Sequence, residues 1–133
     1  MFSVSMKTQY GIRALAHLAR EELVTSSSLE IAQAEGISPK YLEGILSQLK
    51  AAGLVLAERG KNGGYRLSRK ASDIRMIDII QALEGEVRPV GCVEDSGSCA
   101  LGGACLPRRF WLGLKETIDA YLASKTLRDV VDA

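Results

Sequence analysis

All three cysteines of the chain lie in one glycine-rich segment, GCVEDSGSCALGGACLPRR, at positions 92, 99 and 105. Thiolates are soft ligands that suit iron–sulfur clusters, zinc and copper(I), and glycines let a connecting segment bend around an inorganic core. The spacing differs from the ferredoxin patterns, and the paired Cys-x-x-Cys of many zinc sites is absent. The segment therefore indicates metal or redox chemistry, with three unrelated reduced thiols as the alternative.

The composition is that of one compact domain. The chain has 133 residues, of which 47% are hydrophobic and 25% charged. Charged residues interrupt the first twenty positions, so no signal-peptide-like segment occurs there, and no apolar run reaches the roughly 18 residues of a membrane span. We therefore expect a cytoplasmic protein without membrane partners. Thiols stay reduced in that compartment, which favours metal or redox chemistry over disulfides.

Charge is distributed unevenly along the chain. Residues 1–75 carry 11 Lys/Arg and 7 Asp/Glu, a balance of +4, and residues 76–133 carry 6 and 9, a balance of −3, which together make the net charge of +1. The stretch 59–75 has one acid, Asp73, and six basic residues: Arg59, Lys61, Arg66, Arg69, Lys70 and Arg75. This asymmetry favours a nucleic-acid-binding part, with a solvated charged surface as the alternative.

Residues 28–53 predict a short helix, a tight turn and a second helix. Ser28 is expected to cap the first helix, and Gly36 to end it in a left-handed conformation. Its buried residues are expected to be Leu29, Ile31 and Ala32. Ser38 then serves as the N-cap of a helix with Pro39 in its first position, which ends at Gly53. The inward face of this helix is predicted to be Leu42, Ile45, Leu46 and Leu49. The pattern is typical of a helix-turn-helix; a helical hairpin of a bundle is the alternative.

A β-hairpin is predicted directly after these helices. The loop GKNGG contains Asn-Gly, the strongest short hairpin signal, and separates two extended runs marked by Leu54 and Leu56, and by Tyr65 and Leu67. A helix-turn-helix followed by a hairpin is the layout of a winged helix. Arg59 and Lys61 would then lie near the tip of the wing, within reach of phosphates or a minor groove.

Further helices flank this unit. The first is predicted to be capped by Ser5, with an apolar stripe of Ile12, Leu15, Ala16 and Ala19. Another is predicted to start at Ser72 or Asp73 and to end at Gly85. Its apolar side is expected to be Met76, Ile79, Ile80 and Leu83. A short helical turn, TLRDVVDA, is predicted to close the chain.

The longest helical pattern runs from Leu106 to Ser124, about 29 Å at about 1.5 Å per residue. Its apolar stripe is Trp111, Leu114, Ile118, Tyr121 and Leu122. Such a stripe needs a partner, and a second copy of the chain is expected to supply it. The sequence thus predicts a mainly α fold with a small β-hairpin wing: a winged helix-turn-helix domain at 1–85, a cysteine-rich loop at 86–107 and a dimerisation helix with a tail at 108–133.

These pieces together resemble the IscR-type winged helix-turn-helix transcription regulators, a family that includes IscR, NsrR, RirA and CymR. The resemblance runs from about Met6 to Val131. It rests on YGIRAL, IAQAEGISPKYLEGILSQLKAAGLV, RGKNGGYRLS and IIQALEG, together with the three-cysteine loop and the long last helix. It implies a homodimeric repressor or activator that binds a double-stranded DNA operator. It also implies an iron–sulfur cluster on Cys92, Cys99 and Cys105, through which the protein senses cluster, redox, iron or nitric oxide status.

Carried over by position, the resemblance implies a DNA-reading helix that starts at Pro39. Its DNA-facing residues would be Ser38, Lys40, Tyr41 and Glu43, and Pro39 is assigned to the same DNA-binding set. The resemblance also implies that Arg59 of the wing enters the minor groove, and Lys61 beside it is assigned to the same DNA-binding set. The periodicity agrees, because the apolar residues of this helix point inward and leave these side chains outward. A weak interaction of Glu43 with the helix dipole is the plain alternative.

The fourth ligand of the cluster stays open. Relatives place a His three residues after the last Cys, or borrow an Asp from the first helix of the partner subunit, and the matching positions here are Arg108 and Gln9. The candidates are an exogenous ligand, Glu94 or Asp95, and Gln9 or Glu43 of the other subunit. His17 is expected to be an ordinary surface histidine. A [2Fe–2S] cluster is expected, with [4Fe–4S] as the alternative.

No constellation of residues indicates catalysis, so we expect no enzyme. GKNGG lacks the Lys-Ser/Thr and the strand-to-helix context of a phosphate-binding loop. A metal-free thiol-based or partner-controlled regulator of the same fold is the main alternative. A winged-helix module that does not bind DNA, or a small redox protein, is a further alternative, against which Lys40, Tyr41 and the basic wing argue.

Overall fold

The structure, a computed structural model, describes residues 3–90 and 106–133. Within these ranges the chain forms α1 (Met6–Arg20), α2 (Ser28–Glu35), α3 (Pro39–Ala51), β1 (Val55–Glu58), β2 (Gly64–Leu67), a 3-10 turn (Ala71–Asp73), α4 (Met76–Glu84), α5 (Leu106–Ser124) and α6 (Leu127–Asp132). The predicted class, mainly α with a small hairpin wing, is confirmed. The cysteines at 92, 99 and 105, and with them Glu94 and Asp95, lie outside the described residues.

Helix α1 begins as predicted, with the Ser5 hydroxyl accepting a hydrogen bond from the Thr8 amide at 3.2 Å. Its buried face differs from the predicted stripe and consists of Thr8, Gly11, Ala14, Leu15, Leu18 and Ala19. Ile12 and Ala16 are only half-buried. The reason is tertiary: α3, α4 and α6 all pack on α1, so the covered sector is wider than one stripe and turned away from these two residues.

Helix α2 starts one residue earlier than predicted, because Ser27 rather than Ser28 is its N-cap and accepts a hydrogen bond from the Glu30 amide at 3.1 Å. Ile31 is buried as expected, but Leu29 is 54% exposed, so its predicted burial is wrong. Leu29 lies about half a turn before Ile31, and the rotation that buries one turns the other outward. Gly36 ends the helix with φ of +65°, the left-handed conformation expected there.

Helix α3 provides the centre of the core. Its four predicted inward residues, Leu42, Ile45, Leu46 and Leu49, each expose 2% of their surface or less. Ser38 and Pro39 occupy the predicted N-cap and first helical position. Removing four such side chains from water stabilises the fold by about 1.5–3 kcal/mol each. This burial fixes the rotation of α3 about its own axis.

The wing is an antiparallel pair of strands in which Val55 faces Leu67 and Glu58 faces Gly64. The segment between α1 and α2 supports it, since Ser26 and Tyr65 exchange two backbone hydrogen bonds of 2.9 and 2.7 Å. A Cβ at Gly64 would lie 2.5 Å from the Ser26 carbonyl oxygen. Only glycine therefore permits this approach, which holds the wing against the helical body.

Helix α4 begins at Met76, later than the predicted Ser72 or Asp73, which belong to the 3-10 turn. The intervening backbone is extended because it pairs with the segment before α6: the Met76 amide donates to the Lys125 carbonyl, and the Leu127 amide to the Ile74 carbonyl, each at 2.9 Å. This pairing between distant parts of the chain overrides the local signals for a helix start.

Helix α6 packs into the core that the helices of residues 1–85 form. Leu127 is fully buried, and the Arg128 guanidinium is paired with Glu22 and approaches the Ala19 carbonyl oxygen at 3.5 Å. The end of the chain is therefore held against the C-terminal end of α1, although it lies in the segment predicted to be a separate unit.

We expect Leu127→Ala to lower the free energy of unfolding by about 2–5 kcal/mol, because it leaves a cavity in the core. Val130→Ala in the same helix is the control; Val130 is 38% exposed, and the change should stay within about 0.5 kcal/mol. Urea unfolding of the full chain measures both. Equal small effects would show that α6 is not part of the core.

Candidate nucleic-acid interface

The N-terminal part of α3 presents a polar surface to solvent. Ser38, Pro39, Lys40, Tyr41 and Glu43 are all exposed. The Ser38 hydroxyl accepts a hydrogen bond from the Tyr41 amide at 3.4 Å, which holds the first turn. Because the apolar face of α3 is buried, the structure brings these predicted DNA-facing residues together on its outer side.

Tyr41 is held in place by an aromatic contact that the sequence did not reveal. Its ring lies edge-on to Tyr10 of α1, with ring centroids 5.9 Å apart and an interplanar angle of 85°. The Arg13 guanidinium lies 5.5 Å from the centroid of the Tyr10 ring. Such edge-to-face and cation–π contacts restrict an otherwise mobile exposed side chain. The only sequence signal was an aromatic residue off the apolar stripe of α1.

Two basic residues of α1 hold the last residue of α2. Arg13 Nε lies 3.5 Å from Glu35 Oε1, and His17 Nδ1 lies 3.5 Å from Glu35 Oε2. The Arg13 guanidinium also donates to the Glu35 carbonyl oxygen. His17 was expected to be an ordinary surface histidine, but it is half-buried, with 23% of its side chain exposed, and it contacts Glu35. These contacts fix the end of α2, directly before the turn that leads into α3.

A cleft of about 550 Å³ separates the start of α1 from the outer side of α3. It is lined by Lys7, Ser38, Lys40, Tyr41, Gly44, Ile45 and Gln48. Two lysines on one open cleft create a positive potential beside the exposed turn of α3, and such a potential attracts DNA phosphates. Lys7 was not among the predicted site residues, because its distance from α3 in sequence hides this proximity.

The structure divides five of the six basic residues of the stretch 59–75 into two groups; the sixth, Lys70, is exposed just before the 3-10 turn. Arg66 pairs with Glu58 across the hairpin at 2.5 Å, Arg69 donates to the Asp73 carbonyl oxygen at 3.1 Å, and Arg75 pairs with Asp78 at 3.1 Å. The hydrogen bond and charge of Asp78 raise the pKa of Arg75.

Arg59 and Lys61 form the second group. Both are exposed where the hairpin turns, and no residue in the described ranges forms an ion pair with either. The turn itself is held by a hydrogen bond of 2.9 Å from the Thr25 hydroxyl to the Asn62 carbonyl. The wing tip therefore offers two available cations on a supported loop.

Helix α5 has no buried residue, although it carries the apolar stripe predicted for dimerisation. Trp111, Leu114, Ile118 and Leu122 are half-buried, and Tyr121 is 62% exposed. Leu122 packs in part on the core of its own chain. Ile118 and Leu122 also line a cavity of about 620 Å³ bounded by the N-terminal segment and the end of α4.

The predicted metal ligands fall outside the described residues, and residues 3–90 and 106–133 contain no group of three or more His, Cys, Asp or Glu that could hold a metal ion. Gln9, one candidate fourth ligand, donates from its side-chain amide to the Val4 carbonyl at 2.9 Å. Arg108 lies half-buried in the first turn of α5. Among the described helices, none has the length and apolarity needed to cross a membrane.

A helix-turn-helix with an exposed, basic reading face and a hairpin wing defines a winged-helix DNA-binding protein. The chain belongs to the Rrf2 family of iron-dependent transcriptional regulators, which it matches over residues 4–133. It is therefore a DNA-binding transcription regulator and not an enzyme, as the sequence predicted.

Individual relatives agree with this assignment. Protein rrf2 of Nitratidesulfovibrio vulgaris is 35% identical over 129 residues, which cover 96% of this chain and 86% of the relative. CymR of B. subtilis, described as its global cysteine regulator, superposes with a TM-score of 0.84 and 34% identity over 99% of this chain and 98% of that one. IscR of T. potens superposes with a TM-score of 0.80 and 34% identity over 98% and 87%.

We expect Lys40→Ala to weaken binding to duplex DNA and to reduce the slope of log K against log salt concentration by about 0.9, the value for one lost phosphate contact. Lys50→Ala is the matched control, since Lys50 is exposed in the last turn of the same helix. Fluorescence anisotropy at several salt concentrations measures both. The same slope in Lys40→Ala and the parent would remove Lys40 from the interface.

Proposed function

We propose that this protein is a homodimeric transcription regulator whose binding to a DNA operator depends on an iron–sulfur cluster held by Cys92, Cys99 and Cys105. The observation that carries the proposal is the position of the cysteine segment. It connects the end of α4, which packs on α3, with the start of α5, a helix that has no buried residue. A group bound there lies on the chain between the DNA-reading unit and the dimerisation helix.

The DNA-binding role assigns the first turn of α3 to the major groove. Lys40 and Tyr41 are suited to phosphate and base-edge contacts, with Ser38 and Pro39 setting the helix start and Glu43 facing the bases. We assign Arg59 and Lys61 of the wing to the adjacent minor groove or backbone, since both are exposed where the hairpin turns and neither has an ion-pair partner among the described residues. A two-fold dimer would read half-sites about 34 Å apart, one helical turn of DNA.

The dimer forms through α5. Leu114, Ile118 and Tyr121 lie on the stripe of a helix that has no buried residue, and a two-fold contact places the same stripe of a second copy against it. Trp111 and Leu122 lie at either end of this stripe. The half-burial of Leu122 on its own core anchors the helix in the protomer.

The donor set fits an iron–sulfur cluster. Three thiolates are the ligand type that such clusters use, and the family is described as iron-dependent. We favour a [2Fe–2S] cluster over a [4Fe–4S] cluster. Bound there, the cluster would supply sensitivity to oxidant, nitric oxide or iron supply. The fourth ligand remains one of the candidates named above; for Gln9, the side-chain amide already donates to Val4.

A metal-free thiol-based or partner-controlled regulator of the same fold is the second candidate. The similarity to CymR, described as a cysteine regulator, extends over 98% of that chain with a TM-score of 0.84. Three cysteines in one segment also suit thiol oxidation, which needs no metal.

Iron and acid-labile sulfide separate the two candidates. We expect anaerobically purified parent protein to contain both iron and sulfide and to absorb in the visible range. We expect each of the single variants Cys92→Ala, Cys99→Ala and Cys105→Ala to lose most of this iron, because each substitution removes a ligand. Far-ultraviolet circular dichroism of the metal-free variants is the control for folding. A colourless parent that cannot be loaded with iron and sulfide would favour the thiol-based candidate.

We expect Leu114→Glu to raise the dimer dissociation constant at least about tenfold, the factor for about 1.4 kcal/mol, because it places a charge in the apolar contact. Thr117→Glu is the matched control, since Thr117 is an exposed residue of α5 off this stripe. Sedimentation equilibrium of the full chain measures both. Equal dissociation constants for the two variants would exclude this face as the dimer contact.

A further inference from the structure

We infer that the last turn of α4, residues 82–84, connects the cysteine segment mechanically to the DNA-reading helix, and that Gln48 is the positioning residue of this connection. The inference deepens the proposed function and rests on it. Three separate contacts carry it, and all lie within the described residues. We call residues 82–84 the α4 junction.

The first contact is a direct hydrogen bond between the two helices. Gln48 Nε2 of α3 donates to the Ala82 carbonyl oxygen at 3.1 Å in a partly buried position. Ala82 lies in the last turn of α4, where carbonyls lack a donor from their own helix. Gln48 therefore replaces a missing helical hydrogen bond of α4, and its side chain also lines the cleft that contains Lys40 and Tyr41.

The second contact is close packing through a glycine. A Cβ on Gly11 of α1 would lie 2.4 Å from Leu83 Cδ1 and 3.4 Å from Ile45 Cγ2. Leu83 of the α4 junction and Ile45 of α3 thus both lie against the same point of α1. Leu83 and Ile45 are 3% and 2% exposed. A contact packed this closely cannot deform continuously; it can only change between a few discrete arrangements of its side chains.

The third contact joins the α4 junction to the start of α1. The Glu84 carboxylate accepts a hydrogen bond from the backbone amide of Ser5, the N-cap of α1. Hydrogen bonding with Ser5 holds the pKa of Glu84 below its usual value, and the charge of Lys7 acts in the same direction. Lys7 also lines the cleft beside Lys40, so this contact ends at the DNA-facing surface as well.

The chain leaves α4 at Gly85, which has φ of +85°, and continues into the cysteine segment. On the N-terminal side of that segment, α4 is the first helix that a displacement transmitted along the chain would reach. A shift of about 1 Å takes a 3.1 Å hydrogen bond beyond the range in which it is effective. The state of the segment would thereby change the orientation of α3 relative to α1.

The test compares affinities for one DNA probe in two states of the cysteine segment. The probe is a fluorescein-labelled duplex of about 30 base pairs, long enough for two half-sites, that the parent protein selects from a random pool. The states are the anaerobically loaded parent and the triple variant Cys92→Ser/Cys99→Ser/Cys105→Ser. The ratio of their dissociation constants is then measured again after Gln48→Leu has been introduced into both proteins. This substitution keeps the size of the side chain but removes the hydrogen-bond donor.

We expect Gln48→Leu to move the ratio toward one by about fivefold, the factor that one neutral hydrogen bond contributes. Gln81→Leu is the matched control, because Gln81 is exposed on α4 next to Ala82, and it should keep the parent ratio. If Gln48 serves only as a DNA contact or a stabilising residue, both states weaken equally, the ratio stays unchanged, and the inference is overturned.

Different results would exclude the proposed cluster sensing and the positioning role of Gln48. A parent whose two states bind the probe equally well ends the proposed cluster sensing and this inference together. A parent that discriminates, combined with an unchanged ratio in Gln48→Leu, ends this inference alone. Amide hydrogen exchange of the metal-free protein adds an independent readout: Gln48→Leu should speed exchange at residues 82–86, and Gln81→Leu should not, whereas equal exchange in both variants overturns the contact.

Discussion

The buried apolar face of α3 is the constraint on which the DNA-binding surface depends. Leu42, Ile45 and Leu49 are at most 2% exposed, so α3 cannot rotate about its axis without losing several kcal/mol of burial. Their opposite side must therefore face solvent, and it carries Lys40 and Tyr41. The rotation of α3 about its own axis therefore determines both the stability of the core and which side chains face solvent.

Contacts within the protein, rather than the total charge, decide which basic side chains are available to bind phosphate. The basic stretch suggested six phosphate-seeking side chains, but three of them already have acceptors within the protein: Arg66, Arg69 and Arg75. Their charges stabilise the hairpin and the start of α4 at the modest level of exposed contacts. Arg59 and Lys61 at the wing tip and Lys40 of α3 are exposed and have no ion-pair partner within the described residues, so they are available to bind phosphate.

Helix α5 is held at its C-terminal end and leads from the cysteine segment at its N-terminal end. Residues 74–76 pair with the backbone just after α5, and Leu127 fixes the next helix in the core. The same α4 that begins in this pairing ends at the turn that contacts Gln48. Within the described residues, α3, α4 and α5 are thus linked by direct packing of α3 on α4 and of α4 on α5.

The sequence by itself determined several features that local chemistry decides. The caps at Ser5 and Ser38, the left-handed Gly36 and the inward face of α3 follow from side-chain hydrogen bonds, backbone sterics and helical period, and the structure has them all. The family resemblance likewise rested on local motifs, whereas the cysteine site and the DNA contacts remain predictions.

Only the tertiary structure decided features that arise where distant segments meet. The rotated buried face of α1, the late start of α4, the Tyr10 contact with Tyr41 and the hydrogen bond from Gln48 to Ala82 all join residues far apart in sequence. The physical reason is that a side chain's period along its own helix shows which way it points, but not which other element lies there to receive it.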